Sequence, residues 1–315
     1  MKQSISILGS TGSIGLSVLS IIDKRKNLFK VELLVANKSF SKICSQIERY
    51  NPKYFLINDP SVFERVKNKY KNKKKTKFLK NFDQLKIKNK LNITISAIPG
   101  IDGLGPTIKM IYLSKKILIA NKESIICGWN LIKKKCLQNK TEIIPVDSEH
   151  FSLFKLLKLH KMKEIKKIYI TASGGPFLNL KKKNFKNIRP IDALNHPKWK
   201  MGKKISIDSS TLMNKLLELI EAQKLFSIPN KKIDILIHPN SLVHAIVELK
   251  NGLNKLIYHD TSMIIPLANA IFNDELCIED FLKKKNKKKE KLTIQNLTFQ
   301  KVNKNIFPII KLKNR

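Results

Sequence analysis

Asp147 and Glu149 stand two residues apart where the apolar run Ile143, Ile144, Val146 ends. Carboxylates spaced this way at the mouth of a strand can aim oxygens at one point, and convergent oxygens are what hard divalent cations such as Mg²⁺ or Mn²⁺ take as ligands. A third carboxylate lies further along. Asn214, Glu218 and Glu221 fall at i, i+4 and i+7 of a stretch, 212–225, whose periodicity predicts a helix; Lys215 sits beside them, and Leu212, Leu216 and Leu219 cover another face. On this reading Glu218 completes a metal-binding set with Asp147 and Glu149, while Ser209, Asn214 and Lys215 are placed to take an anionic substrate. Ser209, Ser210 and Thr211 offer N-cap chemistry for the helix. Each feature also has a plainer reading. Asp147-Ser148-Glu149 ahead of the amphipathic run 151–159 is equally a helix N-cap with an acidic first turn, and the Glu218 face is equally a solvated polar stripe. These residues alone leave both open.

A second chemistry is carried by the N-terminus. Residues 5–8 form a short apolar run, Gly9-Ser10-Thr11-Gly12-Ser13-Ile14-Gly15 follows, and then Ile14, Val18, Ile21 and Ile22 recur at helical spacing. A strand, a glycine-rich turn and a helix in that order let backbone amides approach a pyrophosphate seated on the helix N-terminus. The spacing is G-x-x-G-x-x-G rather than the common G-x-G-x-x-G. The next strand, 31–36, ends in Asn37-Lys38-Ser39, where an NAD site would place Asp or Glu on the ribose hydroxyl. A lysine with small polar neighbours suits a 2′-phosphate instead, which favours NADP.

These residues need elements to hold them. Strand-like runs at 54–57, 93–97 and 117–120 alternate with helical stretches at 41–49, 62–70 and 107–113, the signature of a Rossmann-like doubly wound parallel sheet in an α/β chain. Ile98-Pro99-Gly100 and Asn121-Lys122-Glu123-Ser124 follow the carboxyl ends of two of those strands, where such sheets bind ligands. Beyond residue 147 the pattern becomes α+β. A strand at 167–172 leads into Ser173-Gly174-Gly175-Pro176-Phe177, and 178–203 is polar and irregular, with His196, Trp199 and Met201 in a segment that reads as a lid over residues 174–203. Strands follow at 233–237, 242–248 and 255–258. The middle one is apolar on both faces, so this second sheet is expected to be largely covered, by helices or by a partner subunit. His238 and His244 are of a kind more often found as sheet residues than as ligands, and are left unassigned. The expected domains are 1–146 for NADPH, 147–275 for metal and substrate, and 276–315 as a linker-like basic tail.

Composition sets outer limits. The 315 residues carry 62 Lys+Arg against 24 Asp+Glu, a formal charge of +38, which invites a nucleic-acid reading. The excess is mostly lysine spread along the whole chain, whereas a nucleic-acid face concentrates charge and mixes in arginine and aromatics. The lysine runs 71–80 and 283–291 are therefore expected as solvated loops, and no nucleic-acid partner is expected. No apolar run approaches the roughly 18–20 residues of a membrane span, and no secretory signal is evident. Four cysteines without C-x-x-C spacing fit reduced thiols, and a cytoplasmic location follows as the expectation.

Taken together, GSTGSIG at 9–15, ANKES at 120–124, PVDSEH at 145–150, SGGPF at 173–177, HPKWKMG at 196–202 and IDSSTLMNK at 207–215 with Glu218 resemble the 1-deoxy-D-xylulose 5-phosphate reductoisomerase family in identity, order and separation. The resemblance covers about residues 1–275. It implies an oxidoreductase using NADPH and Mg²⁺ or Mn²⁺ to convert a ketose phosphate into 2-C-methyl-D-erythritol 4-phosphate for isoprenoid synthesis, and a homodimer. It also implies roles. Asp147, Glu149 and Glu218 would hold the metal; Ser148, Ser173, His196, Ser209, Asn214, Lys215 and Glu218 would hold substrate, with Lys122 near the reacting carbons. Thr11, Gly12, Ser13, Ile14, Asn37, Lys38, Ser39, Asn121, Glu123 and Gly202 would meet NADPH. Three positions depart from the family pattern: Asn37 and Leu216 stand where glycine is usual, and Cys127-Gly128 comes one residue early. The family's usual C-terminal helical domain is not found in these 315 residues. A weakly active or inactive remnant is therefore the alternative to an active enzyme, and a basic nucleic-acid binder is the more distant one.

Overall fold

The computed structural model describes residues 2–72, 75–195, 199, 202–282 and 297–314. Its contacts divide the chain into two compact units, the first made of 1–146 and 266–282, the second of 147–265 and 283–315.

The first unit alternates strand and helix: β1 (Gln3–Leu8), α1 (Ser13–Lys24), β2 (Phe29–Ala36), α2 (Phe40–Tyr50), β3 (Tyr54–Ile57), α3 (Pro60–Lys69), β4 (Lys77–Leu79), β5 (Leu91–Ser96), α4 (Leu104–Leu113), β6 (Ser114–Ile119), α5 (Lys122–Asn139) and β7 (Glu142–Pro145). The seven strands form one sheet in the order β4-β3-β2-β1-β5-β6-β7, and every pairing is parallel. Parallel strands covered on both faces have no polar side to show, which is why β3 is Tyr-Phe-Leu-Ile with all four residues buried. From β1 the chain builds outward through β2, β3 and β4, then returns to the opposite edge of β1 with β5. That reversal opens the crevice in which such sheets take their ligands. The lysine run 71–80, expected as a solvated loop, is partly a strand: Lys77–Leu79 is β4, and Leu79 is buried. Along it burial rises from exposed Lys77 through half-buried Phe78 to buried Leu79, a gradation that a run of like charges conceals.

The second unit contains α6 (Ser148–Leu157), β8 (Ile165–Ala172), α7 (Pro190–Leu194), α8 (Lys203–Ser210), α9 (Met213–Phe226), β9 (Ile233–Ile237), β10 (Val243–Leu249) and β11 (Asn254–Tyr258); after α10 (Ile264–Phe272) it closes with β12 (Gln300–Lys301). Its mixed sheet has the order β11-β10-β8-β9-β12. Leu153 and Leu156 of α6 and Leu219 and Ala222 of α9 pack with Ile168, Ile170, Ile235, Ala245 and Val247 of the sheet in one core. The opposite face is covered unevenly. His244 and Ile246 on β10 are buried, whereas Leu256 and Tyr258 on β11 are 39% and 40% exposed.

Two segments group differently from the sequence-based expectation. Residues 266–275 were expected with the second domain, yet 266–282 pack with the first unit. Phe272 meets Phe29 edge-on at 5.7 Å, Lys116 Nζ donates to Asn273 Oδ1 at 2.6 Å, and Arg25 pairs with Asp280. Residues 297–314, expected as part of a basic tail, bring Phe307 and Ile310 into the second core, and Lys313 Nζ reaches Asp234 Oδ1 at 2.9 Å. Sparse apolar residues among many lysines give no periodicity from which such docking could be read. Among the described residues no helix is long and apolar enough to cross a membrane. The lysine run 283–291 lies outside the described residues.

Candidate active site

The acidic cluster belongs to the second unit and is built by two helices. Asp147 occupies the N-cap position of α6 with Glu149 in its first turn, as the plainer reading of this stretch expects, but the Asp147 side chain makes no capping hydrogen bond. It turns toward His150, with Oδ1 3.2 Å from Nδ1. The N-terminal turn of a helix favours negative charge, so two carboxylates are tolerated there side by side. Glu218 comes from α9. It is 1% exposed, so its face is no solvated stripe. One ligand oxygen from each of Asp147, Glu149 and Glu218 lies within 4.8 Å of the other two, the one group of three or more such side chains found among the described residues.

What surrounds the three carboxylates explains how they share so small a space. Lys215, buried on α9, sends Nζ to within 2.7 Å of Glu149 Oε1 and 2.5 Å of Glu218 Oε2. Burial opposes its charge, but Glu149, Glu218 and Asp147 outweigh that and raise its pKa above the ordinary lysine value. His150 has no exposed surface, and its Nε2 lies 2.9 Å from the Glu218 carbonyl oxygen. Burial again works against the charged form, and Glu221, Asp147 and Glu218 together lift the imidazole to about 9. Asp147, Glu149 and Glu218 bring three carboxylates to one point, and an all-carboxylate donor set is the kind Mg²⁺ and Mn²⁺ accept. The residues therefore fit such an ion.

Of the residues expected to hold substrate, Ser148 is buried and donates Oγ–H to Glu149 Oε2 at 2.5 Å, and Asn214 donates its amide to Glu218 Oε1. Ser173 begins the loop after β8, where its Oγ accepts the Gly175 N–H at 3.2 Å. Gly175 has φ +65°, and a Cβ there would stand 2.8 Å from the Ser209 carbonyl oxygen, so this loop rests on the Ser209 backbone. The N-cap expectation for Ser209, Ser210 and Thr211 holds only in part: Ser209 and Ser210 end α8 and the N-cap position of α9 falls to Leu212 at φ +61° with no side-chain cap of its own, while Thr211 Oγ1 accepts the Met213 N–H at 3.3 Å. Helical hydrogen bonding thus continues through the polar triplet before the chain breaks, a break that no glycine or proline marks in the sequence. Of the expected lid, His196 and Met201 lie outside the described residues. Trp199 is described, and its ring stands edge-on to His244 at 6.0 Å.

The first unit supplies the glycine cradle. Gly9, at φ +84°, follows β1 so closely packed that a Cβ would fall 2.6 Å from the Ala97 carbonyl oxygen, and one at Gly15 would fall 2.4 Å from that of Gly9. At Gly12, the N-cap of α1, an added Cβ would meet nothing nearer than 3.4 Å. Two glycines of the motif therefore serve packing, and the third leaves an exposed approach to the helix N-terminus. Thr11 and Ile14 are half-buried and Ser13 is exposed along that approach. Gln46 of α2 braces the loop from beneath, accepting the Ser10 hydroxyl at 2.7 Å and donating to the Ser10 carbonyl at 2.9 Å. Asn37 and Lys38 at the end of β2 are exposed and Ser39 is half-buried. Asn121 caps α5 by accepting from Ser124 N–H at 2.6 Å and donates to the carbonyls of Ile98 and Gly100, so its side chain holds two loops of the sheet edge together. Lys122 begins α5 and is buried, Glu123 is half-buried, and Gly202 is the exposed N-cap of α8 in the second unit.

Residues 5–128 match the family model for 1-deoxy-D-xylulose 5-phosphate reductoisomerase, and residues 143–226 match the model of that enzyme's C-terminal domain. A relative from Pelagibacter ubique (strain HTCC1062), named 1-deoxy-D-xylulose 5-phosphate reductoisomerase, is 49% identical over 319 residues, covering 100% of this chain and 80% of its own length. This chain belongs to the 1-deoxy-D-xylulose 5-phosphate reductoisomerase family. A reductoisomerase of the same name from Clostridium novyi (strain NT) is 43% identical, covering 95% of this chain and 77% of the relative. Among solved structures, a reductoisomerase crystallised with NADPH, fosmidomycin and magnesium matches with a TM-score of 0.88 and 32% identity, covering 99% of this chain and 78% of that one. The two-sheet architecture described above is thus the reductoisomerase architecture.

Sequence reasoning left several groups without a role. His150 stood inside the motif and Glu221 on the Glu218 face, and the structure puts both against the acidic cluster. His259 stacks on His244 with ring centroids 4.0 Å apart. Only the i+3 spacing of Glu221 from Glu218 hinted at the first of these arrangements.

Proposed function

We propose that this chain converts 1-deoxy-D-xylulose 5-phosphate into 2-C-methyl-D-erythritol 4-phosphate, using NADPH and Mg²⁺ or Mn²⁺, in isoprenoid precursor synthesis. The observation that carries the proposal is the convergence of Asp147, Glu149 and Glu218 in one unit of a reductoisomerase-family chain. These three side chains would hold the metal. When bound, a divalent cation supplies Lewis acidity and a template for adjacent substrate oxygens, and NADPH supplies the hydride.

The remaining work falls to side chains of this chain. Lys215 keeps a buried ammonium beside two of the carboxylates, available to an anionic substrate without being brought in from water. Ser148, Ser173, Ser209, Asn214 and His196 complete the proposed substrate set, with Lys122 assigned to the reacting carbons. The open approach at Gly12, with Thr11, Ser13 and Ile14, would receive the pyrophosphate of NADPH. Lys38, flanked by Asn37 and Ser39, would meet its 2′-phosphate; Asn121, Glu123 and Gly202 complete that set. A homodimer is supported by Leu256 and Tyr258, alternate residues of the edge strand β11, which leave apolar surface for a second copy to cover.

NADPH oxidation measured with 1-deoxy-D-xylulose 5-phosphate, with and without Mg²⁺ or Mn²⁺, tests the proposal. Turnover is expected only with metal. Full activity in chelator, or in Glu218→Gln, would refute the assignment.

A further inference from the structure

We propose that Glu221 is a positioning residue of the metal site, acting through the His150 ring to aim the Asp147 carboxylate at the cation. The inference rests on the metal-site reading above and deepens it.

An aspartate at a helix N-cap ordinarily turns its carboxylate back to accept the amides of the first turn. Asp147 occupies that position and makes no such bond. His150 competes for it from one turn along the same helix, with Nδ1 3.2 Å from Asp147 Oδ1. The ring is fixed at both ends. Nε2 faces the Glu218 main-chain carbonyl at 2.9 Å, which ties the first turn of α6 to α9, and Nδ1 also faces Glu221 Oε2 at 3.5 Å. Glu221 lies one turn beyond Glu218 on α9, and its side chain is 3% exposed. A carboxylate at that depth is tolerated only with a partner, and the imidazole supplies one. Glu221 is not part of the convergent set of Asp147, Glu149 and Glu218. It touches the ring that touches a ligand. Outer groups of this kind set the orientation of metal ligands, and losing one typically weakens metal binding by about 10- to 100-fold.

A double-mutant cycle in the full chain tests the inference. Mn²⁺ binding is followed by the loss of the free-ion electron paramagnetic resonance signal in wild type, Glu221→Gln, His150→Gln and the double variant. Asp147→Asn serves as the reference for the metal site itself, and NADPH titration and thermal melting report the fold. Glu221→Gln and His150→Gln are each expected to weaken Mn²⁺ binding by about 10- to 100-fold. The double variant should be no weaker than the worse single one, with NADPH affinity unchanged. Glu221→Asp, which keeps the charge but draws it back from the ring, provides the same test if Glu221→Gln does not fold, and is expected to show a smaller loss in the same direction.

Wild-type Mn²⁺ affinity in the Glu221 variant, with affinity lost in Asp147→Asn, would overturn the proposal. So would additive losses in the cycle, because Glu221 would then act on the ion independently of His150. Undiminished Mn²⁺ binding in Asp147→Asn would instead refute the metal-site reading, a different failure.

Discussion

The glycine edge of the first unit and the acidic cluster of the second suit charge of opposite sign by opposite means. The first offers an anion backbone amides at a helix N-terminus, held by glycines whose neighbours leave no room for a Cβ. The second offers a cation side-chain oxygens, with a buried ammonium and a buried imidazole packed among the carboxylates. A backbone site is contiguous in the chain and depends on local geometry. A side-chain site depends on two helices, α6 and α9, being packed over one sheet. The two should therefore fail differently when altered.

The largest separation is expected from Glu218→Gln. Loss of a metal ligand should lower turnover on the order of a thousandfold, since a metal contributes several kcal/mol of charge stabilisation. NADPH affinity, read by fluorescence titration, should stay at the wild-type value; a parallel loss would break the comparison. Substitutions at the glycines give the converse. Gly9→Ala adds both a left-handed Cβ and a 2.6 Å approach to the Ala97 carbonyl, and should destabilise the first unit by about 1–3 kcal/mol, seen as a lower melting temperature. Gly12→Ala meets only a 3.4 Å contact. It should leave melting unchanged and weaken NADPH alone, which would sharpen the distinction between a packing glycine and a ligand-facing one.

Acid should affect the second unit through its other histidines. Burial pushes His244 down to about 3, and burial likewise lowers His259. The unfolded chain takes up these protons as pH falls through about 6.5, and the folded chain resists until near 3 for His244. Their contribution to stability is thus present above 6.5 and is lost between 6.5 and about 3. Melting temperature should fall across that window, and less steeply in His244→Gln. The smallest expected effect is at Lys38, exposed at the end of β2. Lys38→Ala should weaken NADPH by roughly three- to tenfold and leave NADH unaffected, in line with the ~1 kcal/mol ceiling of an exposed ion pair. Equal losses for both cofactors would place the 2′-phosphate elsewhere.

Where the sequence was readable, the reason is locality. Alternating apolar runs and helical periods predicted the first sheet, because strands buried on both faces must be apolar throughout. β4 was hidden because Phe78 and Leu79 are two apolar residues in a run of lysines, and α8 and α9 are parted by only two residues, the second of them Leu212, a left-handed leucine that no propensity rule anticipates. The docking of Phe307 was equally silent, since a residue far from its partners leaves no period behind.

The sequence by itself determined which residues could bind anions and which could bind a cation, since residue type and short spacing fix donor chemistry and helix face. Only the tertiary structure decided that Glu218 meets Asp147 and Glu149 while Glu221 meets His150. Two carboxylates one turn apart on α9 carry nearly the same signal in the chain. Which becomes a ligand depends on where α6 crosses them, and that is set by packing over the sheet rather than by any residue near either one.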